Sequence, residues 1–508
     1  MKDKNLNFDT ILIVSIVLLI PLRSLLNPSL YGEDEVSTFL VNVELIEAII
    51  NINVKDFFIN LIKSYHPPGR NLFSIPTILI FGENISALRL PYYITWIFTC
   101  FFSLRIIKEL NGNNDCKILN IILLSGSGIF HIQIMGFGHG IVSFLGIYLI
   151  YELIIFHKKK QNFIPHKLFN KLAAISFIGF LFFNTFILLT FNLFLIQLFL
   201  ILKNEKKEFY LFFLISFFYF LLYLSYYIIF LGAPYLLVNN PQSLIPLIEN
   251  IFGKLNYGNW DQNAFGQYHQ YIVRQSTMDF NYSSFIANLR YLNWHFFPYI
   301  GIFIIFFSLY YLSTKIKVVL FFILTYFLFV NFFMVGNTGQ HFASIFIWLI
   351  PFFSLNFKEK INFSSIKLFI KFFYLTLLTY TFYFHIFFYS EKNYPYNIVS
   401  LVDGSLKWPP NIKRPLEQIS KDIRKNYTND NTIYYTVDGS IIHYYLRDFK
   451  SHKIDYDLML IDGKVIDCNS LDNKIKILIT SNNIINNCNH VIYKIIKYKG
   501  SNLKLLLK

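Results

Sequence analysis

Three short stretches of this chain carry side chains suited to chemistry. The first, "LLNPSLYGEDEVSTFLVNVE" (25–44), sets Glu33, Asp34 and Glu35 side by side. The second, "SYHPPGRNLF" (64–73), holds His66 ahead of a Pro-Pro pair and Arg70 four residues on, close to the same helical face. The third, "NISALRLPYYITW" (84–96), holds Arg89. A carboxylate can take a proton from an attacking hydroxyl. An arginine grips phosphate through its planar fork of donors. Carboxylate and arginine together would suit a reaction in which a hydroxyl attacks and a phosphate leaves. Each stretch also has a plainer reading. The acids suit a solvated interfacial turn, Arg70 a helix start at an interface, and Arg89 an arginine reaching toward lipid headgroups.

The elements that must position these residues are membrane helices. Of 508 residues, 55% are hydrophobic and 19% aromatic, and mean hydropathy is +0.45. A soluble domain needs more polar cover than that. Several stretches hold about 18 or more largely apolar residues, enough to cross roughly 30 Å of hydrocarbon. The chain reads as an α-helical polytopic membrane protein. Its first apolar stretch, "FDTILIVSIVLLIPLRSLL" (8–26), has no small-residue cleavage site behind it and reads as a retained helix.

Lysine placement sets the topology. Basic loops fall at 105–117, 157–167, 203–207, 315–317 and 358–367, and the charge rule puts them in the cytoplasm. The intervening "MGFGHG" (135–140), the segment near 232–294 and "GNTGQH" (336–341) then face outward. The net charge of +15 therefore reflects loop lysines, and no nucleic-acid partner is expected. Eleven spans are expected near 9–26, 88–107, 117–134, 139–156, 170–187, 188–203, 209–231, 295–314, 317–335, 341–356 and 366–389. The segment 71–82 carries Pro76 and is short. If it crossed, every later lysine loop would invert, so it is expected to lie along or re-enter the outer face. Residues 36–50 and 54–63 read as interfacial amphipathic helices.

Composition shifts near residue 390, which divides the chain into 1–390 and 391–508. The second part alternates charged, Asn-rich turns with strand-like runs such as "NTIYYTV" and "IKILIT", and reads as a small extracytoplasmic α/β domain. Cys468 and Cys488 fall in it, where an oxidising compartment permits a disulfide. The four cysteines include no CxxC pair, and no metal site is expected. His139 reads as capping a helix turn. The 232–294 aromatics (Tyr257, Trp260, Phe265, Tyr268, Tyr271 and Trp294 among them) suit an interfacial belt and a sugar-stacking cover equally, with Arg274 able to assist with phosphate.

An outer-loop Asp-Glu after the first helix, His-Pro-Pro some thirty residues on, and Arg-Leu-Pro opening the next span form an ordered set. In that order and spacing the chain resembles the polyprenyl-phosphate-sugar glycosyltransferases of the GT-C fold. These include the protein O-mannosyltransferases, the lipid A aminoarabinose transferases and their bacterial relatives. The resemblance covers about residues 9–390. It implies that Asp34 is the catalytic carboxylate and that Glu35 positions the acceptor or supports the site. It implies that Arg89 holds the lipid phosphate, with His66, Arg70 and His341 as further substrate contacts. Gly69 and Arg70 stand where many relatives carry leucine after the prolines, and Gln340-His341 stand where an Arg-Tyr pair often opens a late outer helix.

The expected activity is transfer of a hexosyl or pentosyl unit from a polyprenyl-phosphate carrier to an acceptor hydroxyl on a glycan, lipid or protein. The donor is a substrate, and no separate cofactor is expected. The expected location is a bacterial-type cytoplasmic (inner) membrane, with the N-terminus inside and the C-terminal domain outside. The other reading, a lipid-linked glycan transporter or flippase, needs polar residues deep in the helices. The candidates there are few: Asn184, Asn192 and Gln197.

Overall fold

The computed structural model describes residues 8–26, 33–63, 67–125, 133–134, 138–183, 186–204, 206–226, 300–332, 338–360, 375–376, 379, 413–435, 445–453, 460–461, 464–465, 477–480, 494–497 and 504–507. It is mostly helical and forms two compact units. One comprises residues 1–28 and 41–404, the other residues 29–40 and 405–508.

The larger unit opens with α1 (Phe8–Leu26). The helix α2 (Glu33–Ile50) follows, its first two turns grouped with the other unit. The three acids sit at its N-terminal turn, where the helix dipole favours negative charge. After α3 (Val54–Lys63) come two short helices, α4 (Pro68–Phe73) and α5 (Ile75–Phe81). These have six and seven residues, or roughly 9–10 Å each, far short of a bilayer. The segment 71–82 thus holds helices too short to cross on their own, packed beside the start of the next long helix. Ser74 Oγ donates to Leu88 O at 2.8 Å and Thr77 Oγ1 to Ala87 O at 2.7 Å, which pins both short helices to the start of α6 (Ile85–Glu109).

Beyond α6 lie α7 (Asn114–Leu124), α8 (His139–Lys158), α9 (His166–Phe182), α10 (Ile187–Asn204), α11 (Phe209–Tyr226), α12 (Ile300–Lys315), α13 (Lys317–Phe332) and α14 (Thr338–Lys360). Four of the described helices are long and apolar enough to span: α6, α8, α10 and α11. Shorter apolar stretches run at 303–315, 317–328 and 344–356. The expected span at 366–389 and the aromatic segment 232–294 lie almost wholly outside the described residues, as do Cys468 and Cys488.

Polar side chains stitch the helices together. Trp348 Nε1 donates to Ser143 O at 3.1 Å and joins α14 to α8. Asn356 Nδ2 donates to Phe307 O at 2.8 Å and joins α14 to α12. Asn192 Nδ2 reaches Phe322 O at 3.2 Å across α10 and α13. Gln197 brackets Ile164, accepting from its N–H at 3.0 Å and donating to its carbonyl at 2.8 Å. By contrast α11 presents Tyr210, Phe213, Phe217, Phe218 and Phe220 outward, a face suited to lipid.

The basic loops gather at one end. Lys158 pairs with Glu109 at 2.8 Å and His166 with Glu208 at 2.8 Å, while Asn204 Nδ2 donates to Asn162 O at 2.9 Å. The opposite end therefore collects the start of α6, the start of α8 and the α9–α10 turn.

In the second unit, α15 (Lys413–Asn426) accompanies β1 (Ile433–Tyr435), β2 (Ser451–Lys453), β3 (Leu460–Ile461), β4 (Lys464–Val465), β5 (Ile477–Thr480), β6 (Lys494–Lys497) and β7 (Lys504–Leu507). Five of these strands form a mixed sheet in the order β2-β1-β5-β7-β6. The two pairs made by β1 are parallel and the pairs β5–β7 and β6–β7 antiparallel. Ile419, Ile423, Ile433, Phe449, Ile477, Ile479 and Leu505 are buried.

Arg424 forks onto both oxygens of Asp448, at 2.5 and 2.6 Å, and donates to Tyr445 O at 2.8 Å. This hydrogen bonding holds the Asp448 carboxyl below the usual carboxylate range. A depressed folded-state pKa adds stability that is present above the unfolded value, roughly 3.9, and is lost as pH falls through the folded one. Hydrogen exchange at 445–453, corrected for intrinsic rates, should lose protection between pH 6 and pH 3. In Asp448→Asn that loss should shrink. An equal loss in both proteins would show that the pair contributes nothing there.

Candidate active site

Arg70 and Arg89 come to the same end of the helical unit, opposite the lysine-rich loops. Arg89 lies on the second turn of α6 and is 0% exposed; Arg70 lies in α4 and is 4% exposed. Arginine stays charged when buried, so two enclosed guanidiniums place fixed positive groups at this end of the bundle. The reading of Arg89 as an arginine that reaches out to headgroups is corrected by its burial, because the side chain is enclosed by protein.

The local sequence explains the placement. Pro67 is extended and Pro68 opens α4, as a proline fixed near helical φ suits a first turn. Tyr92, one turn beyond Arg89 on α6, donates a long 3.4 Å hydrogen bond to Arg70 O. The Phe73 ring packs edge-on against Tyr92 at 5.2 Å and against Phe182 at 5.3 Å. A β-carbon at Gly69 would lie 2.8 Å from Leu181 O. Gly69 thus lets α4 press against the end of α9.

The "GFGHG" stretch completes this end. Gly138 has φ +95°, a conformation that glycine adopts without strain, and caps the start of α8. A β-carbon there would sit 3.3 Å from Phe182 O and 3.7 Å from Arg70 Cδ. His139 is buried and its ring lies 4.5 Å from that of Phe183. It is the first residue of α8, and its carbonyl accepts from Ser143 Oγ at 2.8 Å.

The remaining sequence candidates are Glu35, Asp34, His66 and His341. Glu35 is in the first turn of α2 and fully buried, with Thr38 and Phe39 buried at its helical neighbours. Asp34 lies in the same turn, and its side chain is outside the described residues. His66 is outside them altogether. His341 lies in α14, its side chain likewise outside. The sequence reading missed Tyr92 and Gln133. Aromatic residues are too common in membrane helices to single out Tyr92, and a lone Gln beside the apolar run carries no spacing signal.

No family model matches this sequence, and no curated protein does. Solved structures do match. The crystal structure of ArnT from Cupriavidus metallidurans bound to undecaprenyl phosphate aligns with TM-score 0.61 and 11% identity, covering 98% of this chain and 97% of that one. The chain has a GT-C-type fold. The apo structure of the same ArnT aligns with TM-score 0.58 and 12% identity over the same shares of the two chains. The ArnT-like alignment runs almost end to end, so it takes in the region beyond residue 390 that the sequence resemblance left unassigned.

Proposed function

We propose that this protein is a membrane glycosyltransferase that moves a sugar from a polyprenyl-phosphate carrier to an acceptor hydroxyl. The observation that carries this is a pair of buried arginines at one end of a GT-C-type bundle. ArnT, solved with undecaprenyl phosphate, has this fold, and a lipid phosphate is the ligand that enclosed guanidiniums suit. The acceptor oxygen forms a bond to the anomeric carbon as the bond from that carbon to the phosphate oxygen breaks. The carrier phosphate leaves with the electron pair. Asp34 takes the acceptor's proton, Glu35 supports the acceptor side, and Arg89 and Arg70 hold the phosphate, with His66 and His341 as further contacts. The phosphate leaves as a stable anion and needs no strong acid.

The transporter reading is weaker. The described polar candidates inside the helices, Asn192 and Gln197, hydrogen-bond to backbone of neighbouring segments and serve packing. The test is sugar release from radiolabelled polyprenyl-phosphate sugars by purified protein with envelope glycan, lipid and protein fractions as acceptors. Carrier movement between vesicle leaflets without sugar transfer would favour the transporter.

The reaction belongs at the outer leaflet if the lysine loops are cytoplasmic. In intact cells, a cysteine placed in 157–167 should resist an impermeant thiol reagent and one in 411–430 should react. The opposite pattern overturns the orientation.

A further inference from the structure

One polar side chain at this end of the bundle is unused. Gln133 is 0% exposed, and among the described residues neither its amide oxygen nor its amide nitrogen has a hydrogen-bond partner. A buried amide left unpaired costs more stability than a paired one returns, so such a group is poised to take a partner.

Its position connects it with the arginines. A β-carbon at Gly140 would fall 2.1 Å from the backbone carbonyl oxygen of Gln133 and 3.2 Å from Thr95 Oγ1. Gly138, two residues earlier, makes the corresponding approach to Arg70 Cδ. Gly138-His139-Gly140 therefore has the Arg70 side chain against one end and the Gln133 backbone against the other. Its end Cα atoms are no more than roughly 7 Å apart.

The amide also selects the ligand. It offers a donor and an acceptor together. A phosphate only accepts and would leave the amide oxygen unmatched. A sugar hydroxyl both gives and takes, so neighbouring hydroxyls satisfy both atoms.

We infer that Gln133 binds hydroxyls of the donor sugar and sets which sugar the protein accepts. This rests on the lipid-phosphate-sugar reading above. Gln133→Met keeps the length and removes both polar atoms. Affinities would be measured for bare undecaprenyl phosphate and for the same carrier bearing glucose, mannose, galactose or arabinose, alongside thermal stability. Wild type should prefer one sugar-bearing carrier over the bare one. Gln133→Met should lose about ten- to a hundredfold of that preference, as expected for two hydrogen bonds. It should bind bare carrier as wild type does, with stability unchanged or raised.

A preference that survives in a stable Gln133→Met would mean that the amide merely holds water, and would overturn the inference. So would a wild type with no preference among the sugars and bare carrier, or a variant that loses bare-carrier affinity. Wild type that binds no undecaprenyl phosphate at all overturns the lipid-phosphate reading itself, and this inference with it.

Discussion

Asp34→Asn should cut sugar transfer by about 10²–10⁴, the usual cost of removing a general base. Asparagine keeps the size and hydrogen-bonding reach of aspartate but cannot take the acceptor's proton. Donor affinity and folding should therefore survive while turnover collapses. The neighbours supply internal controls. Glu33→Gln should stay near wild type, since only one acid is asked to act as base. Glu35→Gln should fall between, and its loss should be shared with stability, because Glu35 is fully enclosed on a face of α2 with Thr38 and Phe39. The measurement is initial rate and donor affinity for each purified variant with the same polyprenyl-phosphate donor. Full turnover in Asp34→Asn would remove Asp34 from the mechanism, and equal loss in all three variants would point to a shared structural role for the helix start.

The second large effect belongs to Arg89. Arg89→Ala should weaken binding of both sugar-bearing and bare carrier by about ten- to a hundredfold, since a hydrogen bond to a charged group is worth about 1.5–3 kcal/mol. Arg89→Lys should recover only part, because a point charge lacks the planar fork. The side chain is wholly buried, so truncation also leaves a hole in the bundle, and the melting temperature must be read in parallel. Unchanged affinity in a folded Arg89→Ala would show that the guanidinium serves packing and not the phosphate. Loss of affinity for bare carrier also separates Arg89 from Gln133, whose replacement should leave bare-carrier binding alone.

The sequence by itself determined the membrane class and grouped the lysine loops. It ordered the Asp-Glu, His-Pro-Pro and Arg-Leu-Pro motifs that carry the GT-C resemblance. These are properties of composition, charge and spacing, and each is complete in one dimension. The short segment 71–82 was also legible, because a wrong crossing would have inverted every later charge. Other features needed the tertiary structure. In a soluble helix the apolar stripe marks the core, but in a membrane both the lipid face and the protein core are apolar. The phenylalanines of α11 that face outward and the leucines of α8 that are buried read alike along the chain. For the same reason the sequence could not tell an arginine that reaches to headgroups from one closed in by protein, and only packing against α6 and its neighbours decided that Arg89 is enclosed. Nor could it show that Gly69, Gly138 and Gly140 are places where backbone meets backbone or side chain, or that Gln133 is buried with no partner among the described residues. Such facts depend on which segments distant in sequence come within a few ångströms, and hydrophobic pattern carries no record of that.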